Sequence, residues 1–234
     1  MVLTVLQARM SSTRLPGKVM RPLCGEPMIG RQVERLRRAR SLGPIVVATS
    51  TGADDDAVAA YARTLGLPVF RGALADVLDR FHGAAAAHGG GQHLVRLTAD
   101  CPLADPEVID AVVARHLESG ADYTSNTVGS TYPKGLDVEV CRLTALEAAW
   151  REAVDPYERE HVTPFVYRRP ERFRLESVSR DPPLHYRWTV DTPEDFAFVE
   201  AVYAALYPAD PAFTSRDVLD WQARHPDRVI PNPA

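Results

Sequence analysis

The chain has 234 residues, 45% of them hydrophobic and 25% charged, the composition of a soluble globular protein with a sizeable core. Its 27 basic and 31 acidic residues give a net charge of −4, and that field argues against a general nucleic-acid binder. No stretch approaches the ~20 apolar residues of a membrane span, and the N-terminus lacks the basic flank of a secretory signal, so a cytoplasmic protein with no membrane partner is expected. The three cysteines, Cys24, Cys101 and Cys141, are far apart and form no CxxC pair, which fits a reducing compartment and excludes a zinc knuckle.

The first apolar run, MVLTVL, reads as a short buried strand that feeds into QARMSSTRLPGK. That segment crowds Arg9, Arg14 and Lys18 among Ser11, Ser12 and Thr13 and is punctuated by Pro16-Gly17. A strand ending in a basic, hydroxyl-rich loop before a helix is how α/β proteins build a polyphosphate site, because ligands bind outside the carboxyl ends of the strands. The loop is neither a Walker A motif nor GxGxxG, and a solvated basic loop is the alternative reading.

The following elements alternate. Met28 to Arg40 has helical spacing, with Arg31, Arg35, Arg37 and Arg38 expected to face away from the core. PIVVATS is a second strand, and Asp54-Asp55-Asp56 opens a helix to about Leu65, reading as a solvated cap. LPVFRG is a third strand with Arg71 at its end, a candidate nucleotide contact, followed by a helix from Ala73 to His88. HLVRLTAD is a fourth strand, and Asp105-Pro106 caps a helix through Leu117. This rhythm predicts an α/β fold with a mainly parallel sheet and helices on both faces.

From Asp122 to Arg142 the pattern changes to a strand, a Gly129-Ser130 turn, and a second strand in which Leu136, Val138 and Val140 alternate with Asp137, Glu139 and Cys141. The alternation predicts a half-exposed antiparallel strand, and this excursion (about 122–142) is a candidate homodimer contact or substrate lid. Helices are expected at Thr144–Ala153 and Glu158–Tyr167, strands at RFRLESV and LHYRWTV, and helices from Thr192 to Tyr207 and Ser215 to Arg224 before a proline-rich tail. Without a linker or repeat, residues 1–234 read as one domain.

Asp100 follows the fourth strand and Asp191 follows HYRWTV with the same grammar of apolar strand, carboxylate and proline-started helix. Each either holds Mg²⁺, which takes one or two carboxylates plus phosphate oxygens, or caps a helix; Asp105 is the better cap near Asp100. Lys134, Asp137, Glu139, Tyr157, Glu158, Glu160 and His161 form a further polar set that serves either a substrate or a solvated helix start. No GxSxG nucleophile is present.

ARMSSTRLPGK, VFRG, DVLDRF, LTADCPL, YPKGLDVEV, EREHVTP and RWTVDTPEDF occur in order over about residues 3 to 200. Together they resemble the cytidylyltransferases that activate ulosonic sugars, the CMP-Kdo synthetases and acylneuraminate cytidylyltransferases, and more closely their SpsF branch. The resemblance implies a Rossmann-like nucleotidyltransferase fold and Mg²⁺-dependent transfer of CMP from CTP to a sugar acid, with release of pyrophosphate, for a surface polysaccharide. It implies that Arg9, Arg14 and Lys18 hold the triphosphate, that Leu6, Gln7 and Ala8 meet the base, and that Ser12, Arg71, Thr98 and Asp100 complete the nucleotide site. Asp100 and Asp191 would ligate Mg²⁺, while Lys134, Asp137, Glu139 and His161 would face the sugar. Asp191 and His161 are, in that order, the candidate bases. The Kdo enzymes carry Gln-Gly where this chain has Thr98-Ala99, a departure beside the expected base contacts. The alternatives are a glycosyltransferase, for which only Asp54-x-Asp56 offers an Asp-x-Asp motif, and a nucleotide-binding protein without catalysis, against which the cation trio and both aspartates speak.

Overall fold

The computed structural model describes residues 2–89 and 91–232. Met1, where the first apolar run begins, and Pro233-Ala234 of the proline-rich tail lie outside the described residues. In chain order the strands are β1 (Val2–Gln7), β2 (Pro22–Leu23), β3 (Glu26–Pro27), β4 (Ile45–Ser50), β5 (Val69–Gly72), β6 (His93–Thr98), β7 (Tyr123–Ser125), β8 (Glu139–Arg142) and β9 (Leu175–Ser177). The helices are α1 (Met28–Leu36), α2 (Asp56–Thr64), α3 (Val77–His88), α4 (Pro106–Ser119), α5 (Leu143–Glu152), α6 (Pro156–His161), α7 (Pro164–Tyr167), α8 (Pro193–Leu206) and α9 (Ser215–Arg224).

Seven strands form one sheet in the order β5-β4-β1-β6-β8-β7-β9, and β2 pairs with β3 in a small hairpin. β5, β4, β1 and β6 run parallel, whereas β8 is antiparallel to both β6 and β7. The period of two along each strand divides the core. Leu6, Val47, Val95 and Leu97 pack with α1, α4 and α8 on one face. Leu3, Val5, Val46, Ala48 and Leu94 pack with α3, α5 and α7 on the other. Each Leu or Val among them contributes about 1.5–3 kcal/mol by leaving water, which is why continuous apolar runs mark sheets covered on both faces.

Helix ends carry the expected chemistry. Asp105 caps α4 by accepting from the Glu107 amide at 2.8 Å, and Thr192 caps α8 in a reciprocal box with Asp195. Pro106, Pro156 and Pro193 stand in first turns, where no amide hydrogen is needed. These assignments leave both Asp100 and Asp191 outside the capping roles.

Several expectations are corrected. α1 stops at Leu36, four residues early, and Arg35 turns inward: it is 2% exposed, donates through Nε to the Ala104 carbonyl (2.7 Å) and lies over the Phe213 ring. The second strand of the excursion is buried on both sides, since Glu139 and Cys141 are as covered as Val138 and Val140. LHYRWTV forms no strand. It makes single bridges from Arg187 to Lys134 and from Tyr186 to Pro231, and spends its next amides on loop carbonyls. The helix expected over 158–167 breaks into α6 and α7 at Val162, whose φ of 74° and ψ of −58° form a γ-turn closed by the Thr163 amide on the His161 carbonyl (2.9 Å). A β-branched residue at positive φ is strained, and Pro164 two residues on favours starting a new helix there.

One buried polar chain bears on stability. His93 Nδ1 lies 2.9 Å from His116 Nε2, and His116 Nδ1 lies 2.9 Å from Thr124 Oγ1. Burial, then His93 and Arg142, push the His116 pKa from its ordinary 6.5 down to about 4, and burial also lowers that of His93. The unfolded chain therefore binds more protons between pH 6.5 and 4, and stability present above that window is lost as pH falls through it. A shift of this size corresponds to about 3 kcal/mol at most. Urea unfolding across this window should show the decline, and His116→Gln should flatten it; equal slopes in the two proteins would contradict the assignment.

Candidate active site at the carboxyl edge of the sheet

The parallel strands deliver their carboxyl ends to one edge, and antiparallel β8 begins there, because Arg96 pairs in register with Glu139. The loop after β1 is built onto this edge by backbone bonds. The Ala8 amide donates to Ala48 O (3.0 Å), the Ala99 amide donates to Gln7 O (2.8 Å), and Met10 O accepts from both Ser12 and Gly17 (2.9 Å each). Gly17 sits at φ 72°, a conformation glycine adopts without strain, and Leu15 and Val19 are buried as anchors on either side.

Asp55 locks the same loop from below. Its Oδ1 accepts from the Met10 amide (2.7 Å) and its Oδ2 from the Ser50 amide (3.0 Å). Burial works against its charge, but the bonds from Ser50 and Met10 hold its pKa below the ordinary carboxylate value. The acidic triplet was expected to be a solvated cap; its central residue is instead a buried acceptor, 2% exposed. Nothing in a run of three aspartates distinguishes the one that turns inward.

A first cleft of about 410 Å³ is lined by Gln7, Ala8, Arg9, Ser12, Thr13, Arg14, Lys18, Val19, Thr98, Ala99, Asp100 and Asp191. Its floor is an ionic cluster. Lys18 Nζ donates to Asp100 Oδ2 (3.1 Å), Asp191 Oδ1 (2.9 Å) and Val190 O (2.7 Å). Arg14 reaches Asp191 Oδ2 (2.9 Å) with its side chain still 61% exposed, and Arg187 lies 3.4 Å from the same oxygen and 2.9 Å from Asp195. Burial opposes the charge on Lys18, yet Asp100 and Asp191 raise its pKa; burial likewise opposes the charge on Asp191, yet Lys18, Arg14 and Arg187 hold its pKa down.

Asp191 reaches Asp100 because the segment before it crosses the strand ends. The Trp188 and Thr189 amides donate to Lys134 O (2.7 and 3.0 Å), and the Val190 amide donates to Asp100 O (2.8 Å). Gly135 permits the crossing: at φ 111°, a Cβ there would lie 2.6 Å from the Thr189 nitrogen.

A second cleft of about 540 Å³ adjoins the first through Thr98, which lines both. Its wall contains Arg96, Thr127, Val128, Lys134, Asp137, Glu139, Tyr157, His161, Thr163, Pro164 and Tyr167. Glu139 is saturated: it pairs with Arg96 and accepts from Tyr123 Oη (2.6 Å) and Thr163 Oγ1 (2.5 Å). Burial, with Glu139 and Asp100 nearby, pushes the Asp137 pKa up to about 6.

The two clefts thus collect Gln7, Ala8, Arg9, Ser12, Arg14, Lys18, Thr98, Asp100 and Asp191 in one, and Lys134, Asp137, Glu139 and His161 in the other. Leu6 and Arg71 line neither cleft. Leu6 is fully buried in the sheet, and Arg71 is held by Ser50 O, Gly52 O and Asp56. Arg187 and Thr163 were not anticipated. The strand expected around Arg187 gave no reason to aim it at Asp191, and the γ-turn that presents Thr163 has no sequence signature beyond Pro164.

A sheet of this order, with ligand-facing loops at one edge and two joined clefts, defines a nucleotidyltransferase-like α/β fold. The family model described as Cytidylyltransferase matches residues 3–207, and the chain belongs to that family of nucleotide-transferring enzymes. It is 34% identical to the spore coat polysaccharide biosynthesis protein SpsF of Bacillus subtilis, over 97% of this chain and 95% of that one. It is 37% identical to a 3-deoxy-manno-octulosonate cytidylyltransferase of Anaeromyxobacter dehalogenans over 51% of this chain and 48% of the relative. A cytidylyltransferase structure from Leptospira borgpetersenii superposes with a TM-score of 0.92 at 32% identity, covering 100% of this chain and 98% of the other.

The anchoring of the first loop is directly testable. Asp55→Ala strands the buried Ser50 amide and the partly buried Met10 amide, and a buried donor left unsatisfied costs about 1–3 kcal/mol. It should destabilise the fold by about 2 kcal/mol or more in urea, while Asp54→Ala, at an exposed position, should leave stability within about 0.5 kcal/mol. An unfolding midpoint equal to that of the wild type in Asp55→Ala would contradict the anchoring role.

Proposed function

We propose that this protein is an Mg²⁺-dependent cytidylyltransferase that moves CMP from CTP onto a hydroxyl of a sugar acid of the ulosonic or sialic type, for a surface polysaccharide. The carrying observation is the Lys18 cluster on the floor of the first cleft, because that cleft joins a second, polar-walled cavity through Thr98 and so sets phosphate-binding cations and metal-type carboxylates near it. The relatives' names support both the nucleotide and the sugar class.

In this reading Arg9, Arg14 and Lys18 bind the triphosphate, with Ser12 and Thr98 as hydroxyl donors and Gln7 and Ala8 toward the base. Arginine suits bidentate contact to phosphate oxygens, and lysine supplies a compact charge. The sugar lies against Lys134, Asp137, Glu139 and His161. Its hydroxyl oxygen bonds to the α-phosphorus as the hydroxyl proton passes to a base, for which Asp191 and then His161 are the candidates; the bond from that phosphorus to the bridging oxygen breaks, and pyrophosphate leaves. Positioning and charge neutralisation supply most of the acceleration for such a step.

Asp100 and Asp191 fit a divalent metal: they are hard oxygen donors, and a cation of the chain itself already bonds to both. Among the described residues no cluster of three or more acidic, histidine or cysteine side chains forms, so phosphate oxygens and water would complete such a site. Bound there, Mg²⁺ would offset charge on the α-phosphate and the leaving group. Nothing supports the Asp54-x-Asp56 motif of the glycosyltransferase alternative as a site: Asp56 pairs with Arg71, and neither aspartate lines either cleft.

Pyrophosphate release with Mg²⁺ and each of CTP, UTP, ATP and GTP, over a panel of sugar acids including Kdo and sialic-type sugars, should show sugar-dependent release with CTP. Arg14→Ala and Lys18→Ala should each cut that turnover by about 100-fold in a folded protein. Asp100→Asn and Asp191→Asn should move the Mg²⁺ titration to higher concentration. Wild-type turnover in both cation variants, or a protein that binds no nucleotide, would overturn the reading.

A further inference from the structure

The point where Asp100 and Asp191 converge is occupied by a cation of the chain itself. Lys18 Nζ bonds to Asp100 Oδ2 at 3.1 Å, Asp191 Oδ1 at 2.9 Å and Val190 O at 2.7 Å, which uses all three ammonium protons. Its side chain is 9% exposed, whereas Arg14, on the other oxygen of Asp191, is open to solvent. The charges nearby cancel: Asp100, Asp191 and Asp195 stand against Lys18, Arg14 and Arg187. A free divalent cation therefore meets no net attractive field and must displace a fully hydrogen-bonded ammonium to reach these oxygens.

A triphosphate changes that balance. Its oxygens compete with the carboxylates for Arg14 and Lys18, and the four-carbon stem of lysine lets the charge move while the loop backbone stays pinned by Asp55. Once both cations turn to phosphate, Asp100 loses its counter-charge and Asp191 keeps only the longer contact to Arg187, in a partly buried site. The geometry points to a nucleotide-gated metal site: Lys18 is the resident counter-cation of Asp100 and Asp191, and a divalent metal gains these carboxylates only after a nucleoside triphosphate draws Lys18 away. The inference rests on the proposal that the first cleft binds CTP, and it adds an order of events, with nucleotide bringing or preceding the metal.

Manganese binding to the whole chain, followed by electron paramagnetic resonance and water-proton relaxation, tests the gate without any sugar. Wild type should bind Mn²⁺ only weakly without nucleotide, and relaxation enhancement should appear when CTP is added. Lys18→Met should bind Mn²⁺ without nucleotide at least about tenfold more tightly, since one charge this close to the ion is removed. Lys18→Met with Asp191→Asn should return to the weak level. Equal Mn²⁺ affinity in wild type and Lys18→Met would overturn the gate.

Should the Lys18→Met protein fail to fold, the wild type answers alone through the ¹⁵N resonance of the Lys18 ammonium. CTP without metal should shift that resonance, and millimolar Mg²⁺ without CTP should leave it in place. Calorimetry of CTP binding separates the two levels. CTP that binds while Lys18 stays put contradicts the gate alone, and CTP that does not bind contradicts both the gate and the proposed nucleotide site.

Discussion

One ammonium group closes the carboxyl edge of this sheet. Lys18 comes from the loop after the first strand, Asp100 follows β6, and Asp191 arrives from 173 residues farther along the chain; the three meet within 3.1 Å contacts. Such a cluster is a poor source of stability, because burying charges costs about what their attraction returns. What it supplies is geometry. It fixes the C-terminal segment across the strand ends, it sets the Val190 carbonyl beside the lysine, and it makes the crossing at Gly135 necessary.

The second cleft follows a different logic. Glu139 is neutralised by Arg96 and satisfied by Tyr123 and Thr163, so it stiffens the wall of the cleft and has little capacity left to accept from a ligand. Asp137, two residues earlier on the same segment, is the carboxylate whose pKa burial and neighbouring charge push up to about 6. Two acids that look equivalent in the pattern YPKGLDVEV therefore serve unlike ends. The γ-turn at Val162 belongs to the same construction, since it turns Thr163 onto Glu139 while His161 stays at the exposed rim.

The parallel half of the fold was legible because its signals are local: apolar runs of four to six residues, Asp-Pro and Thr-Pro helix starts, and a basic loop after the first strand. The aspartates after β6 and before α8 stood out by the same grammar, and Asp105 was at hand as the better cap beside Asp100; that Thr192 and not Asp191 caps α8 is seen only in the structure. Illegible features were those decided across the sheet. LHYRWTV has the composition of a strand, yet its amides go to Lys134 and Asp100 carbonyls, so tertiary context overrides propensity. Arg35 reads as an outward residue until the Ala104 carbonyl and the Phe213 ring come within reach. Asp55 differs from its neighbours only in where the Met10 and Ser50 amides lie.

The central claim is that the loop of Arg9, Arg14 and Lys18 is a nucleotide site continuous with the second cleft. A crystal structure of the protein with CTP tests it most directly. The account requires the triphosphate in the first cleft against these three side chains, the base toward Gln7 and Ala8, and the second cleft left free beyond Thr98. CTP seated in the second cleft, or bound without contact to Arg14 and Lys18, would contradict it.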